Sequence, residues 1–211
     1  QIRERVIIIG HTTDKLPHLI PTHSNDKKFN LKPWKTFKDA CKSLGNIKHS
    51  HIVFPEKRLK YLRLLKQGQN WRDLPIKLQK EAMGKSYYLS GGKTGFLRRL
   101  SWNKPSPTLV TDPTMPATDL CHPEKNRPLS VEEYKRIQEF PDNWKIFGSI
   151  RQQYKQIGNA VPVSLGCAVG KLIVRHHLKQ SIKVIHGFKY SRYLNTSDTC
   201  WTNIKQLNFN F

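Results

Sequence analysis

Apolar residues cluster first at Val6-Ile7-Ile8-Ile9, the longest unbroken apolar stretch in the chain. Following the alternating charges of Arg3, Glu4 and Arg5, it predicts a buried strand over residues 2–10. Residues 11–33 contain three prolines and show no helical period, so they read as loop. Thr36-Phe37-Lys38-Asp39 has the form of a capping box and opens a short helix to about Leu44. Leu59, Leu62 and Leu65 share one face of a helix expected over residues 56–67, with Gly68 as its stop. A turn at Trp71 precedes a further short helix from Ile76 to Met83. Residues 84–120 are richer in Gly, Ser, Thr and Pro, which predicts short strands and turns. Ser130-Val131-Glu132-Glu133 is a second capping box. It opens a helix bearing Val131, Tyr134, Ile137 and Phe140 on one face, and Pro141 ends it. Pro162 stands where a first helical residue would. The helix from Val163 to Leu178 would bury Leu165, Ala168, Val169, Leu172 and Ile173. Beyond Val184 the chain is polar and aromatic without a period, and no internal repeat is present.

Composition narrows the class. A chain of 211 residues suffices for one domain or two small ones. Its 37% hydrophobic and 25% charged residues suit a soluble globular protein with a modest core. The formal net charge is +22, from 37 Lys and Arg against 15 Asp and Glu. Such an excess repels itself, and a polyanion relieves it; nucleic acid is the first candidate, because neutralising phosphates releases counterions. No unbroken apolar run approaches the ~20 residues of a membrane helix, so no membrane is expected. No signal peptide opens the chain, and Gln1-Ile2-Arg3 reads as mid-protein sequence. Cys41, Cys121, Cys167 and Cys200 form no Cys-x-x-Cys pair. That spacing favours reduced thiols in an intracellular protein over a zinc site, and no metal is expected.

Several short segments carry candidate chemistry. Arg3 and Arg5, two apart ahead of a strand, point the same way. They are either a solvated lead-in or a bidentate grip on a phosphate or base carbonyl. In Tyr154-Lys155-Gln156-Ile157-Gly158-Asn159-Ala160-Val161-Pro162, a Gly-Asn turn leads to a proline-started helix. Backbone N–H groups there could hold a carboxylate or phosphate, or the segment is an ordinary loop–helix junction. Gly84-Lys85-Ser86 and Gly92-Lys93-Thr94 imitate the end of a phosphate-binding loop, but Gln79 and Tyr87 stand where the pattern needs glycine. Ser90 to Arg99 reads instead as a basic, glycine-rich loop, either placing Lys93, Arg98 and Arg99 near DNA phosphates or forming a solvated turn. His176-His177 suits the dipole at a helix end better than a metal.

Taken together, the segments resemble a known family. Gln1-Ile2-Arg3-Glu4-Arg5-Val6 is similar to the eighth conserved block of the cytosine-5 DNA methyltransferases. Arg127 to Asp142, centred on Leu129-Ser130-Val131-Glu132-Glu133 and ending Phe140-Pro141-Asp142, resembles the ninth, and Gln153 to Pro162 the tenth. The order matches, and the long variable segment between the eighth and ninth blocks is where the family keeps its target recognition domain. Thr108-Leu109 resembles the Thr-Leu pair found there. The resemblance spans residues 1 to about 175.

The resemblance implies an α/β fold: the C-terminal piece of a doubly wound, S-adenosylmethionine-dependent methyltransferase with a small mixed recognition domain. Residues 1–10 would be a strand of the catalytic domain and 11–125 the recognition domain. Residues 126–184 would be helices returning to the catalytic domain, and 185–211 a tail. Arg3 and Arg5 look like the arginines that hold the flipped cytosine and its phosphate. Gly158, Asn159 and Ala160 look like one wall of the cofactor pocket. Gln1, Lys93, Arg98, Arg99, Thr108 and Leu109 would contact double-stranded DNA. The expected partners are that DNA and an N-terminal catalytic half, in the cytoplasm with the cellular DNA. The departures are equally specific. No cysteine here follows a proline, so the family's Pro-Cys nucleophile is absent, as are its Glu-Asn-Val and Phe-x-Gly-x-Gly segments. The chain alone is therefore expected to be inactive, because a thiolate must add to cytosine C6 before C5 can accept a methyl group. The alternative is a non-catalytic recognition subunit of a split methyltransferase. An RNA-binding protein predicted from charge alone leaves the Gly158-Asn159 block unexplained, and the long basic segment before Thr108 favours DNA over transfer RNA.

Overall fold

Each capping box forms where the side chains dictate. In the computed structural model, which describes residues 1–5, 7–10, 12, 16, 18–45 and 47–188, Thr36 and Asp39 exchange side-chain and backbone hydrogen bonds and start α1 (Phe37–Cys41). A 3-10 turn, Lys42–Leu44, follows. α2 (Glu56–Leu62) and α3 (Ile76–Met83) come next. Ser130 and Glu133 start α4 (Val131–Ile137). α5 (Ile150–Asn159) and α6 (Val163–His177) complete the helices among the described residues.

α2 is shorter than its leucine spacing predicts. Leu62 O accepts from the Leu65 N–H and the Arg99 guanidinium, and the Lys66 N–H that a further helical turn would direct to it donates instead to the Gln69 side-chain oxygen at 2.7 Å. The chain continues through i→i+3 turns that still bury Leu65. α4 also stops early. Phe140 N–H donates to Lys135 O and Glu139 N–H to Arg136 O. With Glu139 at φ 61, this is the left-handed closure that satisfies the last carbonyls of a helix. α5 is a helix where the sequence reading expected a junction. Ser149 and Gln152 form a capping box that the reading missed.

The expected strands are not present among the described residues. Pairing is confined to isolated bridges: Ile2 with Pro107, His23 with Lys32, Arg99 with Cys121, and Cys121 with Pro128. Of the predicted strand core, Val6 lies outside the described residues. Ile7 and Ile8 are exposed, Ile8 at 90%. The stretch Ile150–His177 has the length and hydropathy of a membrane span. Residues 160–162 divide it into helices of 10 and 15 residues, each short of the ~20 that a span needs.

Two compact units emerge. One comprises 1–3 and 34–169, the other 4–33 and 170–211. The first holds two apolar clusters. One packs Phe37, Leu100, Leu109, Leu120, Leu129, Tyr134, Tyr154 and Ile157. Tyr134 and Tyr154 meet edge to face at 4.8 Å, a geometry worth about 0.5–1.5 kcal/mol beyond burial. The other gathers Phe54, Leu62, Leu65, Trp71, Leu74 and Leu97. The boundary expected at 125/126 is not a packing boundary, since Leu100, Leu109 and Leu120 share a cluster with Leu129 and Tyr134. In the second unit, Phe29 and Phe188 stack at 5.1 Å, and Ser24 N–H donates to Lys32 O.

Candidate functional site

The chain's first three residues lie along the segment that ends in Thr108-Leu109. Ile2 N–H donates to Ser106 O at 2.7 Å, and Thr108 Oγ1 donates back to Ile2 O at 2.8 Å. Leu109 N–H donates to the Gln1 side-chain oxygen at 3.1 Å. Arg3 reaches across both segments, donating to Leu109 O at 3.3 Å and to Gly158 O at 2.8 Å. The structure thus brings Gln1, Arg3, Thr108, Leu109 and Gly158 together. Buried Leu109 anchors the arrangement, and Thr108 is exposed.

Gly158 is the closest approach in the site. A Cβ there would stand 2.6 Å from Val110 O and 2.9 Å from its carbonyl carbon. Glycine is required by the chain's own backbone, not by a ligand. Asn159 is exposed at the end of α5, and Ala160 is half-buried. The N-terminus of α6, expected to present open N–H groups to an anion, is already occupied. Val163 N–H donates to Gln138 O, and the Glu139 carboxylate accepts from Ser164 N–H and Oγ.

Sequence reasoning missed Gln138. Its side chain is fully buried and donates to Ile157 O at 2.8 Å and Ala160 O at 3.2 Å, while its oxygen accepts from the Gln1 amide. The available signal was an amide one helical turn beyond Tyr134, on the apolar face of a capped helix.

The basic loop is a correction. Lys93 Nζ is enclosed by Ser86 O at 2.8 Å, Tyr87 O at 3.0 Å and Leu89 O. Arg99 is 3% exposed. It donates to Leu62 O, His122 O, Lys125 O and Asn126 Oδ1. The buried Arg99 cation needs such partners, and half-buried Lys93 is held by three carbonyls, so both side chains brace the fold. Arg98, half-buried, donates through Nε to Asp119 O at 3.1 Å. Arg5 is exposed and belongs to the second unit.

Beside this site, α1, α4 and the 122–125 turn enclose a cavity of about 480 Å³ lined by Cys41, His49, Trp102, His122 and Glu133 among others. Burial would raise the Glu133 carboxyl, but bidentate Arg127 at 2.8 and 2.9 Å and the Ser130 N–H hold it below its usual value. Burial lowers His122 to about 4. Its Nδ1 accepts from the Glu124 and Lys125 N–H groups, an arrangement that needs the unprotonated nitrogen. Burial pushes the Cys121 thiol up to about 12 and the Cys41 thiol well above its ordinary value. Neither is poised as a nucleophile, since the thiolate is the reactive form. Cys167 is exposed.

Comparison with known proteins agrees with the three blocks that meet here. The family model for C-5 cytosine-specific DNA methylase matches residues 1–175. The chain is 46% identical over 181 residues to the type II methyltransferase M.PspPI of Psychrobacter sp. (strain TA137), covering 83% of this chain and 42% of that protein. It is 44% identical over 191 residues to M.Eco47II of Escherichia coli, covering 86% and 43%. It is 31% identical over 198 residues to DNA (cytosine-5)-methyltransferase 4 of Arabidopsis thaliana, covering 85% and 13%. The chain therefore spans about two-fifths of the length of these bacterial relatives. The family implies an S-adenosylmethionine-dependent methyltransferase fold, to which this chain contributes a mostly helical part. On the match over residues 1–175 and these identities, the chain belongs to the C-5 cytosine-specific DNA methylase family.

Proposed function

We propose that the protein carrying this chain is a DNA (cytosine-5-)-methyltransferase, and that this chain supplies target recognition and part of the grip on the extruded cytosine. The observation that carries the reading is the junction of Gln1, Arg3, Leu109, Gln138 and Gly158, where segments similar to the eighth, ninth and tenth family blocks and the Thr-Leu pair meet through hydrogen bonds. Arg3, tied to two carbonyls, is held in place to meet a base or phosphate only after extrusion, when the cytosine has left the stack. Arg5 and exposed Thr108 are the other groups assigned to DNA. Arg98 is assigned to a backbone phosphate, its Nε being the nitrogen that bonds Asp119 O. Buried Arg99 and half-buried Lys93, whose Nζ is held by three backbone carbonyls, are withdrawn from that role.

S-adenosylmethionine would supply the methyl group. The residues offered toward it are the exposed Asn159 amide and the apolar surface of Ala160 and Val161. Gly158 shapes that wall from behind. The nucleophile would come from an N-terminal catalytic half, in which residues 1–10 join a doubly wound sheet. Exposed Ile8, Ile173, Val174 and Leu178 support such a partner surface. Two relatives are named type II methyltransferases, which supports a role in restriction–modification on cellular DNA in the cytoplasm.

The test is transfer of labelled methyl groups from S-adenosylmethionine to duplex DNA, followed by nucleoside analysis. The complete protein should yield 5-methylcytosine. This chain alone should bind duplex and transfer nothing. Labelling by the chain alone, or methylation at another atom by the complete protein, overturns the reading.

A further inference from the structure

We infer that Gln138 is a positioning residue, whose buried amide sets the register between the Arg3 segment and the Ile157–Ala160 turn and thereby the rate of methyl transfer. The inference rests on the reading above. Four observations carry it. Gln138 has no exposed surface and sits at the last turn of α4. Its Nε2 donates to Ile157 O and Ala160 O, on either side of Gly158 and Asn159. Its Oε1 accepts from Gln1, whose own oxygen accepts from Leu109 N–H. Its backbone oxygen accepts from Val163 N–H at the start of α6.

A single side chain thus satisfies two carbonyls of the turn and reaches the Thr108-Leu109 segment through one neighbour. The relay has a fixed polarity. The carbonyls of residues 157 and 160 can only accept, so the amide nitrogen must face them and the oxygen must face Gln1. Gln1 then presents its nitrogen to Gln138 and its oxygen to the Leu109 N–H. Arg3 closes the loop by donating to Gly158 O and Leu109 O, so its place depends on the two segments that Gln138 holds apart. A buried polar network of this kind rigidifies when every member is satisfied. Gln138 acts through Arg3 and the turn.

The test uses the complete protein and two substitutions. Gln138→Met keeps the volume and removes the donor and acceptor. It is expected to slow single-turnover methylation at least tenfold, with duplex Kd within threefold of the parent. Residue-resolved hydrogen exchange supplies a readout independent of activity. The Leu109 amide, which Gln138 reaches only through Gln1, should exchange at least tenfold faster, while the Glu133 amide, capped by Ser130, stays as in the parent. Unchanged exchange at Leu109, or equal acceleration at both amides, overturns the inference, the second because it marks general loosening. If Gln138→Met does not fold, Gln138→Glu decides. A protonated carboxyl restores one donor and an ionised one faces two carbonyls. Leu109 protection relative to the parent should therefore be greater at pH 6 than at pH 8, and a ratio flat with pH overturns the inference. A parent protein that fails to methylate counts against the proposed function, and the exchange readout still decides the role of Gln138.

Discussion

Two regions of the first unit exchange the roles that their side chains suggest. The loop from Ser90 to Arg99 is rich in cations, yet Lys93 and Arg99 spend their donors on backbone carbonyls. The junction around Gln138 is built mainly from neutral amides and carbonyls, yet it joins three distant segments. Formal charge is therefore a poor guide to which side chains face a polyanion in this chain. An arginine has five donors, and a fold made of turns has many carbonyls left to satisfy. Where strands are absent, cations perform inside the fold the satisfaction that a ladder would otherwise provide.

The comparison breaks most visibly at Arg99. Arg99→Ala removes four hydrogen bonds made by a buried cation, each worth about 1.5–3 kcal/mol, and leaves His122 O without that donor, while Leu62 O and Lys125 O keep the Leu65 and Arg127 N–H groups. Chemical denaturation should show a loss of about 4 kcal/mol. A loss under about 1 kcal/mol would return Arg99 to the surface role that the sequence suggested.

Gly158→Ala probes the other region. Its Cβ would stand 2.6 Å from Val110 O, a backbone atom that cannot rotate away. We expect a loss of about 3 kcal/mol, typical of forced overpacking. A neutral result would show that the two segments can part without cost.

A smaller effect concerns pH. His122 titrates near 4 in the folded state because burial disfavours its charged form, and near 6.5 when unfolded. Between those values the unfolded chain binds more protons, so stability falls as pH drops from about 6.5 towards 4. At 1.36 kcal/mol per unit the contribution is about 2–3 kcal/mol across the window. His122→Asn should flatten that slope, and an unchanged slope would assign the pH dependence to other groups.

The smallest expected effect on stability is at Arg98, which keeps one bond, to Asp119 O. Arg98→Ala should cost about 1 kcal/mol. It should weaken binding to every duplex alike and reduce the salt dependence by about one phosphate contact. A changed sequence preference would place Arg98 at a base edge instead.

Local chemistry was legible where it is self-contained. The boxes at Thr36 and Ser130, the start of α6 and the 76–83 helix are each set by residues within one turn of themselves, and they form as read. The Ser149–Gln152 box carries the same local signal, at the start of the helix that ends in Gly158-Asn159. Motif order alone revealed the family. What no local pattern contains is the partner of a long polar side chain. Only packing 37 residues apart gave Arg99 the Leu62 carbonyl as a partner, and only a contact 137 residues apart made Gln138 and Gln1 a relay. The fate of Ile7 and Ile8 was likewise decided by tertiary structure. An apolar run specifies a buried strand only where a neighbouring strand and a covering layer exist to receive it, and the described residues provide neither.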